Sequence, residues 1–265
     1  MLDRYNRRIH YLRISVTDLC NMRCVYCMPP EGVKLLSHED ILSFEEIEKV
    51  VRIAVSLGID KVRLTGGEPL VRRDILKLVQ MLAAIDGISD FAMTTNGTLL
   101  AAVAADLRKA GIMRLNISLD TLDPDRYRVL TRGGDVSAVL TGIQAARTAG
   151  FNRIKLNCVV QQSQNEPDAK AVGAFADKEH FDIQYIRQMD TAAGKFWHVI
   201  DGNGGHCEQC NRLRLSSSGL IFPCLFSDLS FSVRELGAER ALLAAIAGKP
   251  VSGQTSKNQF YAIGG

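Results

Sequence analysis

The sequence has no strong excess of one charge, no long apolar run, no internal repeat and no low-complexity tract. A formal net charge of +3 over 265 residues is too small for a nucleic-acid-binding surface, so any recognition of an anion has to be local. No stretch approaches the roughly 18 consecutive apolar residues of a membrane span. Residues 1–10 are charged and carry no signal-peptide core. These absences lead to the expectation of a cytoplasmic chain that binds neither nucleic acid nor membrane. With 46% hydrophobic and 23% charged residues, the composition is that of a globular protein, large enough for one domain and a small appendage.

What the chain does have is clustered cysteine. Six of its seven cysteines fall into two triads, Cys20, Cys24, Cys27 and Cys207, Cys210, Cys224. In a reducing compartment, close thiols read as metal ligands before they read as disulfides. Cys158 stands alone in an apolar run and reads as a buried small hydrophobe.

Short apolar strands alternate with helical stretches. Strands are expected at 11–16, 61–64, 91–94, 114–119, 153–160 and 181–189. Helices are expected from Ser43, with Glu46 completing a capping box, to Gly58, and at 75–84, 99–110, 138–149 and 168–178. Six βα units in succession imply a parallel sheet with right-handed crossovers. Six strands are too few for a closed eight-stranded barrel, so the expected fold is α/β, a partial (β/α)6 TIM-like barrel with its chemistry at the strand ends. The unusual residues follow that rule. The first triad comes after strand one, Thr65-Gly66-Gly67-Glu68-Pro69 after strand two, Thr94-Thr95-Asn96-Gly97 closes strand three, and Ser118 and Asp120 close strand four. The periodicity breaks after Met189, which divides the chain into a barrel over 1–189 and a small C-terminal region over 190–265.

The Cys20-x3-Cys24-x2-Cys27 loop supplies three soft thiolates, a set that favours zinc or an iron–sulfur cluster. Structural zinc usually takes four protein ligands. Three thiolates on one loop suit a cubane whose fourth iron is open to a small chelating ligand; a zinc site completed by a distant residue is the competing reading. Gly66 and Gly67 let backbone approach a ligand closely, although a strand-end turn explains them equally well.

The Cys-x3-Cys-x2-Cys loop followed by Gly66-Gly67-Glu68-Pro69 resembles the radical S-adenosylmethionine superfamily. Residues 12–18, 63–70, 94–97 and 116–120 are similar to the GTP 3′,8-cyclase family within it, which opens molybdenum cofactor biosynthesis. The run 207–214 and the terminal Ile263-Gly264-Gly265 are similar to that family's auxiliary-cluster region and double-glycine tail. The resemblance implies two 4Fe–4S clusters, one on each cysteine triad, with the C-terminal region holding the auxiliary one. The first would bind S-adenosylmethionine, contacted by Tyr26, Gly67, Ser118 and Met189, and yield a 5′-deoxyadenosyl radical. The second would hold the purine of GTP at its open iron, while Arg13, Arg63, Thr94, Lys155, Arg212, Leu213 and Arg214 bind the nucleotide. Guanidinium forks suit phosphate oxygens. The alternation of Arg212 and Arg214 along a strand leaves open whether one face presents both. For the second triad, zinc completed by His206 is the competing reading. The resemblance further implies an electron donor and a downstream pterin-forming enzyme, and a homodimer is left open.

The sequence departs from the family in two places. Where the family strand reads Arg-aromatic-Ile-Glu-x-Met, this chain has Gln184-Tyr185-Ile186-Arg187-Gln188-Met189, so a cation is lost and a carboxylate has become Arg187. An odd separation along a strand argues against a direct exchange of roles between 184 and 187. The stretch from Met189 to Cys207 is short, and a smaller wall would widen the cavity. Trp197 and His198, within it, read as packing of a short linker or, more sharply, as stacking partners for a base. The alternative function is a related two-cluster radical enzyme acting on a peptide or another small molecule, and the alternative class is an electron carrier, which would have no use for the Gly-Gly-Glu-Pro loop.

Overall fold

The computed structural model describes residues 1–263. The Gly264-Gly265 end noted above lies outside them.

The chain alternates strand and helix as the apolar periodicity predicts. In order come β1 (Tyr11–Ser15), α1 (Phe44–Ser56), β2 (Lys61–Thr65), α2 (Ile75–Ala83), β3 (Asp90–Thr95), α3 (Leu100–Ala110), β4 (Arg114–Ser118), α4 (Pro124–Thr131), α5 (Val136–Thr148), β5 (Ile154–Val160), α6 (Pro167–Glu179) and β6 (Asp182–Arg187). The capping box forms: the Glu46 amide donates to Ser43 Oγ at 3.1 Å, and the Ser43 amide donates to Glu46 Oε2 at 2.7 Å. The buried side of α1 is Ile47, Val50, Val51 and Ala54, and full burial of each large aliphatic among them is worth about 1.5–3 kcal/mol.

Helix α4 is absent from the expectation. Its sequence is polar, and only Tyr127 and Thr131 are buried, so it offers no apolar period to read. Its local signal was instead Asp123, whose side chain caps the amides of Asp125 and Arg126, and Pro124 in the first turn.

Strands β1 to β6 pair in parallel. Past the irregular stretch after β6, the chain returns as β7 (Arg212–Leu215), β8 (Leu220–Phe222) and β9 (Phe231–Ser232), followed by α7 (Val233–Leu236) and α8 (Ala238–Ala247). β7 pairs in parallel with β1, and β8 and β9 continue antiparallel. Among the described residues the sheet therefore has nine strands in the order β6-β5-β4-β3-β2-β1-β7-β8-β9, open at β6 and β9. The segment bearing the second cysteine triad thus extends the same sheet as the first. Cys158 is fully buried on β5, as a packing residue would be. No described helix is long and apolar enough to cross a membrane.

Candidate active site

Both cysteine triads open into one cavity of ≈ 660 Å³ at the strand ends. The first triad rides on the loop after β1. That loop turns on the Cys24 carbonyl, which accepts from the Cys27 amide at 2.9 Å and the Met28 amide at 3.0 Å. The unforeseen α4 anchors it: the Arg23 and Val25 amides donate to the Thr131 and Leu130 carbonyls, and Arg132 Nη1 donates to the Arg23 and Met28 carbonyls.

The glycine pair has a steric reason. A Cβ on Gly67 would lie 2.2 Å from the Leu19 carbonyl oxygen, and one on Gly66 would lie 2.7 Å from that of Thr17. Only glycine lets the two loops close on each other, sealed by the Gly67 amide to the Thr17 carbonyl and the Glu68 amide to the Leu19 carbonyl, both 2.8 Å. Glu68 is fully engaged elsewhere. It accepts from Thr95 Oγ1 at 2.7 Å and from the amides of Asn96 and Leu70 at 2.6 and 3.1 Å, tying the loop after β2 to the end of β3.

Burial pushes the Glu68 carboxyl up to about 7 against those three donors. The folded chain therefore keeps this proton at pH values where the unfolded chain, with an ordinary value near 4.5, has lost it. The associated stability is present below pH 4.5 and lost as pH rises through 7. Urea unfolding of the metal-free protein should show this loss, roughly 3 kcal/mol at most, and Glu68→Gln should flatten it relative to the parent. An unchanged slope in the variant would place the titration elsewhere.

Tyr26 is oriented by Asp120, whose Oδ2 accepts its hydroxyl at 2.6 Å while Oδ1 accepts the Val159 amide at 2.8 Å. Asp120 was noted in the sequence only as a strand-end residue; its role as the support of Tyr26 is visible only in three dimensions. Tyr26, Gly67, Ser118 and Met189 all line the cavity.

The cations form a grid that no linear reading reveals. Arg13 on β1 pairs in register with Arg63 on β2 and with Arg214 on β7, and two residues earlier Tyr11 pairs with Lys61 and Arg212. Positions i and i+2 of a strand share a face, so Arg212 and Arg214 do present together, and all five cations with Tyr11 line the cavity. Lys61, Tyr11 and Arg114 were not among the expected site residues; what would have revealed them is the parallel register. Asp90 accepts from Arg114 at 2.6 Å and approaches Lys61 at 2.8 Å. Burial lowers the Arg13 and Arg63 guanidinium values, neighbouring cations add to this, and Arg214 falls to about 10. The Nε atoms of Arg63 and Arg212 are buried without a hydrogen-bond partner among the described residues. Clustered buried cations are costly unless anions join them.

Thr94 and Lys155 also line the cavity. Leu213 does not: its side chain is fully buried in the core on the opposite face of β7, leaving only its main chain for a ligand. Gln184 and Arg187 both reach the cavity despite their odd separation, because Arg187 closes β6, where the pleat ends. The short stretch after Met189 folds back along β6, with Ile200 bridged to Tyr185, and Val199 with residues 201–205 still walls the cavity. Trp197 lies 4.1 Å beneath the Arg187 guanidinium, and His198 stacks on His206 at 3.8 Å. Both rings are thus occupied within the chain, and neither lines the cavity.

The donor chemistry of the triads fits iron–sulfur cubanes: each offers three thiols to the cavity, one fewer than the four protein ligands that structural zinc usually takes. Burial pushes Cys24 up to about 12 and Cys27 to about 11, so thiolates at the first triad require the positive charge of bound metal. Cys210 differs: burial raises it, but Lys249 and Arg212 outweigh that and hold it below the ordinary thiol value.

Residues 14–176 match the sequence profile of the Radical SAM superfamily. The GTP 3′,8-cyclase of Pelotomaculum thermopropionicum is 39% identical over 325 aligned positions that take in all of both chains, so the shortfall of this 265-residue chain is internal. That of Geobacter sulfurreducens is 39% identical over 88% of this chain and 86% of its own. Among solved structures, Streptococcus suis SuiB bound to S-adenosylmethionine superposes with a TM-score of 0.64 at 15% identity, over 93% of this chain and 66% of its own. The S-adenosylmethionine-bound anSMEcpe gives 0.57 at 19% identity, over 71% and 52%. At such identities these two speak for the fold alone. On its sequence relatives, the chain belongs to the GTP 3′,8-cyclase family of the radical S-adenosylmethionine superfamily.

Proposed function

We propose that this chain is a radical S-adenosylmethionine GTP 3′,8-cyclase, a lyase that joins C3′ of GTP to C8 of its guanine, giving (8S)-3′,8-cyclo-7,8-dihydroguanosine 5′-triphosphate for molybdenum cofactor biosynthesis. The observation that carries this is one cavity with a cysteine triad at each side and a grid of arginines on the strands between. A 4Fe–4S cluster on Cys20, Cys24 and Cys27 would supply the electron that cleaves S-adenosylmethionine to the 5′-deoxyadenosyl radical. The residues of 1–189 then bind and orient that cosubstrate. The Gly66-Gly67 turn would offer it main chain, Tyr26 is held by Asp120 beside the same cavity, and Ser118 and Met189, which line that cavity, would contact it. Residues 190–265 bring Cys207, Cys210 and Cys224 to hold a second cluster facing the purine. Arg13, Arg63, Arg212 and Arg214, with Thr94 and Lys155, grip the triphosphate and ribose so that C3′ faces the radical.

The reading requires an electron donor, a pterin-forming enzyme to take the product, and a cytoplasmic setting that keeps the thiols reduced. Anaerobically reconstituted protein should contain about eight irons per chain and little zinc, and calorimetry on that protein should detect GTP binding. One zinc with about four irons would remove the second cluster; absence of GTP binding with both clusters loaded would give the arginine grid to another anion.

A further inference from the structure

Two buried cations lie outside the arginine grid. Lys249, just past α8, is 1% exposed, and Arg7, ahead of β1, is 6% exposed. Neither is spent on packing alone. Lys249 Nζ donates to the Arg212 carbonyl at 2.8 Å and to the Pro223 carbonyl at 2.6 Å. Arg212 follows Cys210 by two residues and Pro223 immediately precedes Cys224. One ammonium thus ties together the two chain segments that contribute the second triad. Arg7 completes the arrangement. Its Nη1 donates to the Cys207 carbonyl at 2.8 Å and the Val251 carbonyl at 3.2 Å, and its Nη2 donates to the Pro250 carbonyl at 2.7 Å. Asp3 fixes this guanidinium through Nε at 2.6 Å.

One short 3-10 turn sets Cys207 and Cys210, with the Cys210 amide donating to the Cys207 carbonyl at 3.2 Å, but Cys224 comes from a separate stretch, so nothing local sets its distance from the other two. Arg7 holds Cys207 to the segment that carries Lys249, and Lys249 holds the strand after Cys210 to the residue before Cys224. We propose that Arg7 and Lys249 are a buried cationic clamp that pre-assembles the second cysteine triad and offsets the negative charge of its thiolates when a cluster is bound. The clamp rests on the reading that this triad holds a cluster. Both are positioning residues, acting through the cysteines.

The energetics favour such a role. A buried ammonium without compensation is costly. Two carbonyls satisfy part of it. A cluster held beside it would supply the compensating negative charge, whereas Arg7 is already bound to Asp3. Removing a fixed positive charge beside an anionic cluster makes acceptance of an electron less favourable, so the cluster's potential should fall. Hydrogen bonds around a metal site commonly change metal affinity by about 10–100-fold.

The test uses the full chain carrying Cys24→Ala, so that iron reports on the second triad alone. This parent should take up about four irons per chain on anaerobic reconstitution. No iron there would refute the second-cluster reading itself, distinctly from any failure of the clamp. Adding Lys249→Met should weaken iron retention against a competing chelator by about tenfold or more. Lys249→Gln keeps an N–H that can reach a carbonyl but carries no charge. Its cluster, poised against a fixed reductant, should show a reduced-to-oxidised ratio about tenfold lower than the parent's, equivalent to about 59 mV for a one-electron couple. Lys249→Arg, which restores the charge, should return the ratio toward the parent. Parent-like iron retention in the Met variant overturns the proposal, as does a parent-like ratio in the Gln variant. If the Met variant does not unfold cooperatively, the Gln variant decides alone.

Discussion

Cys24→Ala protein, reconstituted anaerobically and given S-adenosylmethionine and a reductant, should form 5′-deoxyadenosine only at background level, while the parent forms it readily. The substitution is clean. The loop around Cys24 turns on that residue's carbonyl, which accepts the Cys27 and Met28 amides, and alanine keeps both bonds. The anchoring of Arg23 and Val25 to the end of α4 is likewise main chain to main chain. What alanine removes is one of three thiols in a site where each is needed, because a cubane with one iron open to the cosubstrate has only three protein ligands to lose from. Equal cleavage by the variant would mean that the radical-generating iron is not held by this loop.

Arg212→Ala should raise the dissociation constant for GTP about tenfold to a hundredfold, since a charge-assisted hydrogen bond to phosphate is worth roughly 1.5–3 kcal/mol. Arg212 is the suitable probe within the grid. It lies on the cavity, its Nη2 touches only the Asn203 carbonyl at 2.8 Å, and its Nε is without a partner among the described residues. Arg212→Lys should recover part of the affinity, because a point charge cannot reproduce a guanidinium fork. Iron content should stay at the parent's level in Arg212→Lys, which keeps a charge beside Cys210, so a weakened dissociation constant there reports lost phosphate contact and not a disturbed second triad. A parent-like dissociation constant in Arg212→Ala would exclude this guanidinium from the anion site.

Much of this was legible in the sequence, for definite reasons. Strands β1 to β5 alternate buried apolar residues with polar side chains that face the cavity, and the helices between them other than α4 each carry a buried stripe, so the type and order of most elements could be read directly. The cysteine spacings and the Gly66-Gly67-Glu68-Pro69 turn are local and survive as written. What could not be read was set by register and by return of the chain. Helix α4 is mostly solvated and leaves no periodic trace, yet it anchors the first cysteine loop. The alignment of Arg63, Arg13 and Arg214 across three strands depends on how β2, β1 and β7 pair, and β7 comes back to β1 from nearly 200 residues away. Leu213 was grouped with its charged neighbours by position, but the pleat turns it into the core. Trp197 offered a face for a base, and Arg187, the residue that departs from the family pattern, occupies it instead. The clamp residues Arg7 and Lys249 carry no motif, and their meaning comes from the carbonyls they reach.

Transfer of hydrogen from C3′ of GTP, held by the arginine grid, to the radical generated at the first triad is the step on which the proposed reaction turns. It is tested most directly with GTP deuterated at C3′, incubated anaerobically with the fully loaded protein, S-adenosylmethionine and a reductant. The account predicts that the 5′-deoxyadenosine formed carries one deuterium and that its formation tracks the loss of GTP. Undeuterated 5′-deoxyadenosine, formed at a rate indifferent to GTP, would contradict it.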